Sequence, residues 1–247
     1  MQLANKLLTV IEKMARHSAE SKAVKKKFNG WGDSIVRTFI PHVRYFSQAL
    51  SERILPAFGD IEASAERSYE QYMSKRVSDD VGYDWDDVEY GYMRDVRQSV
   101  VNLYAVGLRH LFEQQFSYLV MRLVDDYERK ADYKEDEKVI IDAGEIDIKR
   151  FRSWTKLEEL EYVCNAVKHA EGKSAKYLEK VRPDLFDDPS CLDLTNGEFP
   201  KKRLAVREPL SGDNIYLQET DIKAYAAAIE DFWKEFIEIL ENYRDEA

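Results

Sequence analysis

Apolar residues recur at three- and four-residue intervals along most of this chain, the period of an amphipathic helix rather than the alternation of a strand. Leu3, Leu7, Leu8, Ile11 and Met14 begin the pattern, so residues 3–27 read as a first helix. The cluster Asn29-Gly30-Trp31-Gly32-Asp33 breaks it. Asp33 or Ser34 then caps a second helix carrying Ile35, Val36, Phe39, Ile40, Val43, Phe46 and Leu50, bent at Pro41 and ended by Pro56. A third helix, residues 60–77, carries Ile61, Tyr69, Tyr72 and Met73, and an acidic loop over 78–84 follows it.

From Trp85 to Lys130 there is no proline. One straight helix of that length would run roughly 68 Å at about 1.5 Å per residue, so a kink, a projection or an interruption is expected. Gly91 and Gly107 are its weak points. Its second half, Val100 to Val124, is apolar on nearly every side, as suits a central buried helix. Residues 130–148 are densely charged and read as a mobile connection. Thr155-Lys156-Leu157-Glu158 is a capping box that opens the next helix. Gly172 stops that helix, and Ser174 starts a shorter one that ends at Arg182-Pro183. Residues 183–214 hold four of the six prolines, and Arg203–Arg207 with Asn214–Gln218 are expected to pair as a small hairpin about Ser211-Gly212-Asp213. A final helix over 220–245 bears Ile222, Tyr225, Ile229, Phe232, Trp233, Phe236, Leu240 and Tyr243. The expected fold is all-α, a helical bundle with a long central helix and at most one small β-hairpin. Its expected organisation is a basic N-terminal helical segment, 1–80, packed on a helical domain over 85–247.

Composition supports helices: 34% of the 247 residues are charged, and there are only 10 Gly and 6 Pro to break them. No apolar run approaches a membrane span, and Met1–Lys6 lacks a secretory apolar region, so a cytoplasmic protein without a membrane partner is expected. Cys164 and Cys191 are too few for a disulfide framework. The net charge of -10 conceals an asymmetry, because residues 1–55 carry ten Lys/Arg against four Asp/Glu. An acidic bulk argues against broad non-specific binding to DNA, while a basic segment leaves room for a local phosphate contact or simply a solvated lysine-rich face.

Candidate chemistry concentrates in Asn165-Ala166-Val167-Lys168-His169. Asn165, Lys168 and His169 stand at i, i+3 and i+4 and share a helix face. An amide, an ammonium and an imidazole on one turn can hold an anion such as phosphate and move a proton on it. A plainer role is also open, since Lys and His near a helix C-terminus complement its dipole and cap its carbonyls. In the central helix the polar interruptions gather at Arg109-His110 and Glu113-Gln114-Gln115. His110 and Glu113 are one turn apart and can pair. Facing the Asn165–His169 turn, they would complete a pocket; otherwise they form a buried polar network or an exposed edge of the bundle. His110, Glu113 and His169 supply metal-ligand types but no recognised ligand spacing, and the acids Asp79, Asp80, Asp84, Asp86, Asp87 and Glu89 lack the order of an EF-hand, so no metal or cofactor is expected. The absence of a P-loop, a G-x-G-x-x-G and a G-x-S-x-G argues against nucleotide hydrolysis and serine-esterase chemistry.

Three features together resemble HEPN-like proteins, particularly prokaryotic ones: the Asn165-x-x-Lys168-His169 turn, the Leu108-Arg109-His110-Leu111-Phe112-Glu113-Gln114-Gln115 stretch of the central helix, and Asp231-Phe232-Trp233 in the last helix. The resemblance covers about residues 85–245. It implies a helical bundle that homodimerises and acts on RNA or binds a cognate protein partner in a toxin–antitoxin or phage-defence setting. Many such proteins are metal-independent endoribonucleases, and others are non-catalytic. For an enzyme the resemblance implies His169 as the general acid–base, Lys168 and Asn165 as phosphate holders, and His110 and Glu113 as groups that orient or charge the imidazole. Active members carry an arginine separated from the histidine by four to six intervening residues. The corresponding positions here are Tyr162, Val163 and Cys164, leaving Lys168 as the substitute cation, and Arg37 to His42 matches the spacing literally.

Overall fold

The computed structural model describes residues 31–59, 63, 67, 85–124, 132–144, 146–188 and 205–245. The expected helices over 3–27 and 60–77, the acidic loop 78–84, Cys191 and Arg203 lie wholly or largely outside these residues. Among those described the fold is all-α, with no strand. Helix α1 occupies residues 32–59, α2 Trp85–Val124, α3 Tyr133–Gly144, α4 Trp154–His169, α5 Lys173–Val181 and α6 Glu219–Asp245. No helix of the described residues is long and apolar enough to cross a membrane.

Helix α1 starts at Gly32 rather than at an Asp33 or Ser34 cap, with the Ile35 amide bonded to the Trp31 carbonyl. It does not end at Pro56 but continues to Gly59. Each of its prolines follows a five-residue π-helical stretch, Ile35–Phe39 before Pro41 and Leu50–Ile54 before Pro56. Proline cannot donate to the carbonyl four residues back, and its ring crowds that carbonyl. The wider π turn shifts the pairing by one, so that Ile40 bonds to Ile35 and Leu55 to Leu50.

Helix α2 runs 40 residues without a break, through Gly91 and Gly107 alike. Gly107 is a packing position instead of a weak point: a β-carbon there would lie 2.6 Å from Phe46 Cζ. The helix is not apolar all round. Leu103, His110, Gln114, Tyr118 and Arg122 form an exposed stripe, while Val101, Ala105, Leu108, Phe112, Phe116, Leu119, Val120 and Leu123 are buried. The charged stretch expected to be mobile instead forms α3, bordered by a short 3-10 turn over Ile148–Arg150.

The chain divides into two compact units. The first comprises Met1–Val43, His110–Thr155 and Ala228–Ala247. Its core is aromatic: Phe112 meets Phe232 edge-on at 4.9 Å, Phe39 lies 4.9 Å from Trp233, and Phe116, Phe151 and Phe236 complete the cluster. One polar group is threaded through it. Gln115 accepts from Trp233 Nε1 at 2.9 Å and donates to the Phe39 carbonyl at 3.1 Å. Ser117 donates a short hydrogen bond to the buried Asp136, tying α2 to α3. The start of α4 is capped from a distance. Glu235 of α6 accepts from the amides of Arg152 at 2.8 Å and Ser153 at 3.0 Å, and Thr155 lies inside the helix rather than at its cap.

The second unit comprises Arg44–Arg109 and Lys156–Ala227. Its loop over 205–218 is not a hairpin. Residues 209–211 form a 3-10 turn, and Asn214 Oδ1 accepts from the Arg207 and Glu208 amides. The loop is stitched to α2 by Asn102, fully buried, whose amide donates to the carbonyls of Pro209 and Ile215 at 2.9 Å each. Gly212, at φ 86°, sits against the Asp95 carbonyl, an approach that no β-carbon permits.

Candidate functional site

Helix α4 places the predicted residues by its period. Val163, Cys164, Ala166 and Val167 are buried, so the opposite side of the last two turns faces outward. Lys168 and His169 are exposed and Asn165 is half-buried. None of the three side chains makes a hydrogen bond or ion pair with a described residue. The helix stops not at Gly172, as expected, but at Ala170, held left-handed at φ 59° with its amide bonded to the Ala166 carbonyl. Such a conformation costs a non-glycine residue roughly 1–2 kcal/mol. The next residue secures the turn: the Glu171 amide donates to the Val206 carbonyl at 3.0 Å, and its carboxylate accepts from the Val206 amide at 3.1 Å. Gly172, with extended backbone, precedes α5.

His110 and Glu113 pair as the spacing predicted, with Nδ1 3.2 Å from Oε2. They do so on the solvent side of α2, the histidine side chain being 52% exposed, so neither the buried-network reading nor a core role holds for His110. They belong to the first compact unit, whereas Asn165, Lys168 and His169 belong to the second.

Beside His110, Arg109 is buried, 3% exposed, and donates to Glu161 of α4 at 3.0 Å. This places a guanidinium against the carboxylate one turn before Asn165. Where the family pattern would carry its arginine, Val163 and Cys164 instead fill the core. Tyr162 is half-buried and stacks on Tyr177 of α5, ring centroids 3.9 Å apart and planes 26° apart.

A second polar centre of this unit was not anticipated. Arg182, the residue that ends α5, reaches Glu159 of α4 at 2.6 Å, Asp184 at 2.7 Å and Asp221 of α6 at 2.8 Å. Glu159 also accepts from Lys156 at 2.9 Å and from the Tyr225 hydroxyl at 2.8 Å. Burial pushes the Glu159 carboxyl up, but Lys156, Tyr225 and Arg182 together outweigh it and hold it below the usual range. The Arg182 guanidinium likewise lowers Asp184. Burial, and then the Glu159 charge, drive the Tyr225 phenol well above its ordinary value. Each group is partnered, so the arrangement works as a clamp joining α4, the turn after α5 and the start of α6. Sequence spacing could not have shown it, because Arg182 finds Glu159 and Asp221 at 23 and 39 residues' distance, with only Asp184 a neighbour in sequence.

No protein-family model matches this chain, and neither does any curated protein or any solved structure.

Proposed function

We propose that the chain is a HEPN-like, RNA-directed protein whose Asn165, Lys168 and His169 act on the phosphodiester backbone as a metal-independent endoribonuclease. The observation that carries this reading is the accessibility of that turn. An imidazole and an ammonium lie exposed beside a half-buried amide, with no described side chain to neutralise them. A buried structural histidine would have to be hydrogen-bonded, whereas this exposed one is open to a ligand.

In this reading the imidazole of His169 takes the proton of an RNA 2′-hydroxyl. The O2′–phosphorus bond forms as the phosphorus–O5′ bond breaks, leaving a 2′,3′-cyclic phosphate, and the departing oxygen takes a proton from solvent water. The Lys168 ammonium and the Asn165 amide hold the non-bridging oxygens, where charge accumulates. Lys168 does so as a point charge, without the two-pronged geometry of an arginine. His110 and Glu113 are a separate exposed pair within the first unit. The reading includes a homodimer, which brings two such turns to one strand. Sedimentation velocity at micromolar concentration should then give twice the 28.9 kDa of the chain, and a clean monomer would count against it.

The decisive experiment follows one variant by two readouts. His169→Ala should abolish cleavage of RNA in EDTA, a loss of about 10²- to 10⁴-fold for a general acid–base. Because the side chain is exposed, stability should stay within about 0.5 kcal/mol of the parent. Cleavage that persists in the variant removes His169 from the mechanism. A second reading, a non-catalytic dimerisation or partner-binding module, is favoured by the burial of Val163 and Cys164 where the family arginine would stand. Purified wild-type protein that leaves RNA intact in every buffer would establish that reading over the first.

A further inference from the structure

We propose that the corner formed by α4 and α5 is a track for single-stranded RNA, in which a nucleobase stacks on the Tyr162–Tyr177 pair while Lys173, Lys176 and Lys180 hold the backbone phosphates. The inference rests on the reading of Asn165, Lys168 and His169 as RNA-directed and extends it to how the strand is held.

Two independent features meet here. The first is aromatic. Tyr162, Asn165 and His169 stand at i, i+3 and i+7 on α4 and share a face, with Tyr162 two turns, about 10 Å, before His169 along the axis. Tyr177 rises from α5 to stack on Tyr162 at 3.9 Å. Both rings keep part of their surface exposed, unlike the core rings around Phe112 and Trp233, which are fully buried. A paired, partly open aromatic surface is what an unpaired base needs for stacking, and a duplex cannot offer its bases to it.

The second feature is charge. Lys173, Lys176 and Lys180 recur at i, i+3 and i+7 on α5, all exposed, and Lys168 precedes them. Residues 168–180 thus carry four lysines against two glutamates in a chain of net charge -10. None of the four lysines forms an ion pair with a described residue, whereas Glu171 is held on the Val206 amide and the nearby Glu161 on Arg109. The ammonium groups on α5 remain available to an anion, a local positive edge beside the acids Glu158 and Glu161 that act on Tyr162.

The test is fluorescence anisotropy with a labelled 2′-O-methyl uridine oligomer of about 12 nucleotides, within the site sizes of single-strand binders. Without a 2′-hydroxyl it cannot be cut by 2′-hydroxyl attack, so binding is read apart from cleavage. The wild type should bind it more tightly than a duplex of equal length. Tyr177→Ala should weaken binding about 5- to 150-fold, the range for loss of one stacked base, and Tyr177→Phe should restore it. The triple variant Lys173→Gln, Lys176→Gln, Lys180→Gln changes only exposed positions. It should lower the slope of log affinity against log salt by about 2, at about 0.7 per single-strand phosphate. A wild type that ignores the oligomer, a preference for the duplex, an unchanged Tyr177→Ala or an unchanged salt slope would each overturn the track. Binding that follows this pattern without any cleavage of ordinary RNA would remove the endoribonuclease reading and leave the track standing. Cleavage indifferent to Tyr177 and the three lysines would do the reverse.

Discussion

Replacing Arg182 with methionine tests how the second compact unit is held together. The substitution keeps much of the stem and deletes the charge that Glu159, Asp184 and Asp221 share. Losing one partner of a buried ion pair typically costs about 3–5 kcal/mol. That figure needs reduction here. The Asp184 side chain is 61% exposed, so its arm is a solvent-screened contact worth at most about 1 kcal/mol. Glu159 keeps Lys156 and the Tyr225 hydroxyl. What remains is the loss at Asp221 and part of that at Glu159, at 14% and 15% exposure. The expected destabilisation is about 2–3 kcal/mol, or a melting temperature about 4–12 °C lower for a chain of this size.

The pH dependence gives that expectation a sign. Glu159 and Asp184 titrate below their ordinary range in the folded chain. A depressed carboxylate contributes stability that is present above its unfolded value, about 4, and lost as pH falls through the folded one. The penalty of Arg182→Met should therefore be full at pH 7 and shrink below about pH 4 as the wild type loses its own advantage. Urea unfolding followed by far-ultraviolet circular dichroism, at pH 7 and below about pH 4, measures both. A loss under about 0.5 kcal/mol at pH 7, the scale of an ordinary surface change, would refute the clamp. So would a penalty of the same size at both pH values.

Two further substitutions probe individual contacts. Gly212→Ala should destabilise the loop by about 2–4 kcal/mol, combining the left-handed penalty with a clash against the Asp95 carbonyl, and hydrogen exchange should show the 205–218 segment opening first. Gln115→Leu removes the partner of Trp233 Nε1 and of the Phe39 carbonyl, and should cost about 1–3 kcal/mol for each group left unsatisfied, with a shift in tryptophan emission. Near-neutral stability in either variant would contradict the geometry described.

The sequence by itself was enough for the helical class and for most core faces. Ile222, Tyr225, Ile229, Phe232, Trp233, Phe236 and Leu240 follow a period of 3.6, and all seven are buried in α6. The His110–Glu113 pair was equally legible, because both residues sit one turn apart on one helix. Local spacing carries that much since it is fixed by covalent geometry.

Where a helix begins or how it accommodates a proline depends on groups that spacing does not bring together. Glu235, 82 residues from Ser153, supplies the cap that Thr155 was expected to provide. Pro41 and Pro56 neither break nor end their helix, because π turns re-pair the backbone around them. Asn102 was invisible as a polar anchor until the 205–218 loop lay against it. The apolar neighbours of His110 left a pocket, a buried network and an exposed edge all open; the helix turns His110 to solvent and Arg109 inward to Glu161. The candidate turn shows both sides of this division. Its three polar residues share a face by period alone, but their exposure follows from Val163, Cys164, Ala166 and Val167 having somewhere to be buried. That is a property of packing, since burial is set by which apolar surfaces meet, and only the folded chain brings them into contact.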